Sequence, residues 1–252
     1  MTNRQRTAPA GPAPSTEVIE RLVESVRQRL RAAANERAAT EIKRTYGEDV
    51  PCLGVASAQL SQIGLEKVRQ MRTGGLPLSL AVADPLWRSG VLEEGLVATQ
   101  IVNAMGRHIG GGDFDRFETW AGFLTNTANA DGLALHLVSR ALAAKPSLVN
   151  RLREWVKSPN AVRRRAAIVS FVPLVREGRF LTDALSVVEE VMADQDPQVQ
   201  EGAGLMLMEA SRLQADRVVE FIRLWHRKSP RQLLVKATTK LSASQREAAL
   251  GG

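Results

Sequence analysis

Two stretches of this chain, 37 residues apart, repeat one order of small and large side chains. The first runs Asn160-Ala161-Val162-Arg163-Arg164-Arg165-Ala166-Ala167-Ile168-Val169. The second runs Asp196-Pro197-Gln198-Val199-Gln200-Glu201-Gly202-Ala203-Gly204-Leu205-Met206. Aligning Val162 with Val199 places Ala166 on Ala203, Ala167 on Gly204 and Ile168 on Leu205. Small residues recur where one helix must approach another closely, and larger ones where it fills the layer. A chain patterned this way stacks helix pairs along an axis, because each pair leaves an apolar face that the next pair covers. The three arginines have no counterpart in the second copy. The repeat accounts for the alanines and leaves the arginines to be explained.

The rest of the chain fits the same scheme. Ser15 or Thr16 can cap a first helix in which Val18, Ile19, Leu22, Val26 and Leu30 follow at helical spacing. A second helix is expected over 35–46, stopped by Gly47, and a third over 57–71 after the irregular stretch from Glu48 to Val55. Residues 76–87 and 91–105 read as an antiparallel pair, and His108-Ile109-Gly110-Gly111-Gly112-Asp113 as a linker. Further helices are expected over 114–124, 129–144, 147–157, 160–177, 181–194, 197–213, 215–227 and 230–241. Pro146, Pro159, Pro197 and Pro230 stand at helix starts, where the missing N–H has no intrahelical partner to lose. Aromatic residues make up only 4% of the chain, so alanine and leucine carry most of the packing, and no period-2 strand is found. The expectation is an all-α fold, an α-α superhelix of degenerate HEAT-like repeats over residues 15–241. A disordered N-terminal tail (1–14) precedes it and a C-terminal tail (242–252) follows. Trp87, Trp120, Trp155 and Trp225 lie in amphipathic segments and are expected in the core.

The formal net charge is +7, and residues 151–252 hold 17 Lys/Arg against 12 Asp/Glu. That balance favours a polyanionic partner. Cys52 is the single cysteine, which leaves no intramolecular disulfide and points to a reducing compartment. Cys52, His108, His136 and His226 lie in separate segments without metal-ligand spacing, so neither a metal nor another cofactor is expected. No apolar run approaches the roughly 20 residues needed to span a bilayer, and the N-terminus lacks a signal core. A cytoplasmic monomer without membrane contact is expected.

Arg163, Arg164 and Arg165 fall on the first turns of a helix entered through Pro159 and Asn160. Free N–H donors and the positive end of the helix dipole lie there, and the guanidinium fork suits phosphate. The triplet is therefore the candidate contact for an anionic partner. A rival explanation is a basic face that only solvates an α-solenoid.

With Leu53-Gly54-Val55, the helix pairs and Arg164-Arg165-Ala166-Ala167-Ile168 assembled, the chain resembles the HEAT-like-repeat DNA glycosylases of the alkylation-repair (AlkD-type) family. The likeness runs from about Glu17 to Leu241 and is sharpest between Asn126 and Phe171. It implies binding of double-stranded DNA, alkylated or structurally unusual, and excision of cationic alkylpurines such as 3-methyladenine and 7-methylguanine. The family's catalytic aspartate falls on Asp131 and its phosphate-holding arginine on Arg165, with Arg163 and Arg164 beside it. Two positions depart from the family pattern: a tryptophan is replaced by Thr127, four residues before Asp131, and a second aromatic residue by Leu205. Loss of two stacking surfaces predicts weak excision. The alternative is a non-catalytic α-solenoid that binds unusual DNA structures or a protein partner.

Overall fold

A computed structural model of the chain describes residues 14–251. The expected N-terminal tail lies, but for Pro14, outside the described residues. Helices account for the described architecture, without strands. They are α1 (Thr16–Ala32), α2 (Glu36–Tyr46), α3 (Ser57–Gln70), α4 (Gly75–Arg88) and α5 (Leu92–Asn103). Next come α6 (Phe114–Ala121) and α7 (Thr127–Leu133), the latter passing through a π-helical turn (Ala134–Val138) into α8 (Ser139–Ala144). The chain continues with α9 (Val149–Trp155), α10 (Ala161–Val169), α11 (Val172–Arg176), α12 (Leu181–Val188), α13 (Pro197–Trp225), α14 (Arg231–Ala237) and α15 (Ala243–Leu250). The two helices expected over 197–213 and 215–227 abut as α13, broken at Gln214 (φ −135°, ψ 50°).

The helices stack in two rows, the all-α superhelix expected of the repeat. In one row α3, α5, α7, α10, α13 and α14 each pack on the next. In the other, α1 packs on α4, α4 on α6, α6 on α9 and α9 on α12. Their starts are fixed by side-chain caps: Asn126 accepts from the Asn129 N–H (2.9 Å), Asn160 from Val162 (2.9 Å), and Asp196 from Gln198 (2.8 Å). Each cap satisfies a donor that the first helical turn leaves free, typically worth about 1 kcal/mol.

The second row carries a repeat of its own, which the apolar pattern does not reveal. Asp84 on α4 accepts from Arg116 and from the Trp120 indole N–H (2.7 Å), both on α6. One layer on, Glu118 on α6 accepts from Arg151 and from the Trp155 N–H (2.8 Å), both on α9. An acid on one helix thus receives an Arg-x-x-x-Trp pair, spaced i and i+4, from the next. Burial raises the Glu118 pKa, but the hydrogen bonds from Arg151 and Trp155 outweigh it and hold the carboxyl below its ordinary range. The rings fill the layers: Trp87 stacks on Trp120 (5.6 Å between centroids), and Phe114 lies against Trp155 (5.5 Å). Trp87, Trp120 and Trp155 are buried as expected, whereas Trp225 is only half-buried.

The stretch Leu53-Gly54-Val55 is a seat for a carboxylate. Glu93, fully buried in the first turn of α5, accepts the backbone N–H groups of Leu53 (2.9 Å), Gly54 (2.8 Å) and Val55 (3.2 Å). Gly54 has φ +75°, and a Cβ there would lie 2.1 Å from the Asn35 carbonyl oxygen and 2.4 Å from the Ala39 nitrogen. Both neighbours are backbone and cannot swing aside. Gly54→Ala should therefore cost about 3 kcal/mol or more, read as a lowered urea midpoint.

The expected C-terminal tail differs from the structure. Residues 243–250 form α15, begun by a reciprocal cap between Ser242 and Gln245 and packed on α13 with Ala249 fully buried. The Ser-x-x-Gln signal was present at Ser242, but the helix needs α13 to cover its short apolar face.

Candidate functional site

Thr127 and Asp131 sit four residues apart at the start of α7, on one helix face. Asn126 is the cap, so Asp131 lies beyond the first turn, where a carboxylate gains little from the free amides. Its two oxygens are bound elsewhere. Arg165 on α10 donates from Nε to Asp131 Oδ1 (2.7 Å) and from Nη2 to Oδ2 (2.7 Å). The Arg165 Nη1 group donates to the Gln198 carbonyl at the start of α13 (2.9 Å). Three consecutive helices of the first row are thereby joined through one guanidinium.

The pair is asymmetric in exposure: the Arg165 side chain is 8% exposed and that of Asp131 28%. Gly202 on α13 permits the burial, since a Cβ there would come within 3.0 Å of Arg165 Cγ. The small residue aligned with this part of the repeat thus makes room for an arginine stem. Three of the five guanidinium N–H groups are engaged, so a phosphate contact by Arg165 would have to use the remaining two or displace Asp131.

The exposed side of Asp131 opens into a groove of about 430 Å³ running across α3, α5 and α7. Leu60, Leu96, Thr99, Leu135 and His136 line it along with Asp131. Asp131 is the one carboxylate in its wall, and apart from the His136 imidazole the wall holds no aromatic ring. Thr127 is half-buried at the start of α7, and Leu205 is half-buried against the core of α13.

The arginine triplet divides because successive residues on a helix point about 100° apart. Arg163 turns to the second row, its guanidinium 5.1 Å from the Trp155 ring centroid and 3.8 Å from Glu118. Arg164 grips Asp194 through Nε (2.8 Å) and Nη2 (3.2 Å), and also donates to the Ser158 carbonyl (2.9 Å). Only Arg165 reaches the groove row. All three have carboxylate partners, so the triplet as a whole is knitted into neighbouring layers.

The chain matches the family described as DNA alkylation repair enzyme over residues 26–241, most of its length. It belongs to that family. The match begins in α1 and ends at Leu241, just before α15, so it takes in both rows, the groove and the Asp131–Arg165 pair. No curated protein matches the chain. Among the described residues, no helix is long and apolar enough to cross a membrane, and no cluster of three or more His, Cys, Asp or Glu is placed to hold a metal.

Proposed function

We propose that this member of the DNA alkylation repair family binds duplex DNA along the groove row and uses Asp131 to promote loss of cationic alkylpurines. The observation that carries the proposal is the partly exposed Asp131 carboxylate in the groove wall, clamped from behind by a buried arginine. A cationic purine leaves with the electrons of its N-glycosidic bond and becomes neutral, so little acid catalysis is needed. Positive charge then develops on the sugar. A carboxylate fixed beside that position stabilises it without having to reorganise, and water completes the reaction at the sugar carbon. In this arrangement Arg165 is a positioning residue that sets both oxygens of Asp131.

Surface charge supports a polyanionic partner. Residues 221–246 contain seven Lys/Arg and no Asp/Glu, a surplus equal to the net charge of the whole chain. This stretch spans the end of α13 and all of α14, the last helix of the groove row. Among the described residues, only Lys236 of these cations has a carboxylate partner, Glu201 at 2.7 Å. If about four to six phosphates are neutralised, log K for duplex DNA should fall with log[salt] at a slope of about −4 to −5. Titration of duplex at several salt concentrations measures this, and salt-independent affinity would overturn the duplex reading.

A second reading is binding of unusual DNA structures without chemistry, favoured by the groove's lack of a tryptophan face. Release of methylated purine from alkylated duplex decides between the two. Release that depends on Asp131 supports the first, and binding without release supports the second.

A further inference from the structure

Beside the groove lies a pocket of about 540 Å³ whose wall includes Arg72, Arg107 and Arg140 together with His108 and no carboxylate. We infer that these three arginines form a phosphate site, taking a phosphodiester of duplex DNA whose adjoining nucleotides lie along the Asp131 groove. The inference rests on the duplex reading above.

The three guanidiniums are grouped around one space whose wall holds no carboxylate. Arg27, Arg116, Arg151, Arg164, Arg165 and Arg176 all meet carboxylates. Among the described residues, no carboxylate lies in ion-pair contact with Arg72, Arg107 or Arg140, although they share one pocket. Three like charges around one open space repel, and an anion between them relieves that repulsion.

Arg140 is also held in place. Its Nε donates to the His136 carbonyl (3.0 Å) and its Nη2 to Asn103 Oδ1 (3.3 Å). The guanidinium rests on Gly106, where a Cβ would sit 2.7 Å from Cζ. Arg107 donates from Nε to His108 Nε2 (3.0 Å). A fixed, planar, permanently charged fork suits the two free oxygens of a phosphodiester.

Position selects the source of the phosphate. Asn103 lines both the pocket and the groove, and His136, whose carbonyl holds Arg140, lines the groove. Arg72 follows α3, Arg107 follows α5 and Arg140 lies in α8, so three successive layers each supply one cation. A phosphate bound here would lie at the end of the groove that contains Asp131, in line with a strand crossing those layers.

The competing role is structural: Arg72 and Arg107 follow the C-terminal ends of α3 and α5, where cations offset exposed carbonyls. The test is the Arg107→Ala/Arg140→Ala double variant, titrated with undamaged duplex at several salt concentrations. An Arg37→Ala/Arg44→Ala double variant on exposed α2 serves as the equal-charge control. The pocket variant should lose about tenfold or more in affinity, with its salt slope shallower by about 2, while the control stays near wild type. Lysine at both positions should recover part of the slope, because it restores charge without the fork. Unchanged affinity and slope, an equal loss in the control, or a fall in melting temperature with DNA affinity intact would each overturn the inference. Wild-type protein that binds no duplex at low salt would overturn the underlying reading as well. Wild-type binding with an indifferent pocket variant would overturn the phosphate site alone.

Discussion

Asp131→Asn is expected to lower release of cationic methylated purines by about a hundredfold or more, the scale of one preorganised electrostatic group. The carboxylate contributes a full negative charge beside the sugar, and an amide contributes only a dipole. Binding of undamaged duplex should be spared or slightly tightened, since a negative charge near phosphate has gone. The amide also disturbs its own support. With Arg165 Nη2 placed 2.7 Å from Asp131 Oδ2, an NH₂ group in that position would set donor against donor. Excision must therefore be measured with melting temperature and duplex affinity on the same preparation. A hundredfold loss of release with binding intact supports the catalytic assignment. Unchanged release with a lowered melting temperature would make Asp131 a structural partner of Arg165 and nothing more.

The second large effect concerns that partnership itself. Asp131→Ala should destabilise the fold by about 3–5 kcal/mol, because it leaves a buried guanidinium without its counter-charge. The remaining acceptor in contact is the Gln198 carbonyl. Arg165→Met keeps most of the stem that packs near Gly202 and leaves a carboxylate that can turn to water, so its cost should be smaller, about 1–2 kcal/mol. The double variant Asp131→Ala/Arg165→Met removes both charges and should be more stable than Asp131→Ala alone. Urea denaturation of the four proteins gives the coupling, expected at about 2 kcal/mol or more. Strict additivity would mean that the two side chains do not depend on each other. Strong coupling together with loss of excision in Arg165→Met at unchanged duplex affinity would identify Arg165 as the residue that positions Asp131.

Much of the helix framework is local in origin, and so could be read along the chain. Ser15, Asn126, Asn160 and Asp196 cap helices because each places a side-chain oxygen two or three residues before a free amide. The recurrence of Val162, Ala166 and Ala167 at Val199, Ala203 and Gly204 announced stacked helices, and those residues are buried in α10 and α13. Even the break at Gln214 fell between two expected helices. The expectation differed over 160–177, which the structure divides into α10 and α11, and at 242–252, where a helix with a legible cap depended for its stability on a distant surface.

The candidate site was legible as residues and not as geometry. Asp131 and Arg165 could be singled out on the chain, but they lie 34 residues apart on different helices. Whether they touch depends on how far α10 is rotated and shifted against α7, a quantity fixed by side-chain packing across the row. The same registration sends Arg164 to Asp194 and Arg163 to Trp155, dispersing a triplet that is contiguous in sequence. It also gathers Arg72, Arg107 and Arg140, which share no local motif, around one pocket. The acid that receives an Arg and a Trp from the next layer was hidden for the same reason. Hydrogen bonds within one helical turn are set by neighbours in the chain, so sequence alone determined most of the helices and their caps. Contacts between layers depend on the register of whole helices, so only the tertiary structure decided which charges are neutralised and which stay free for an anion.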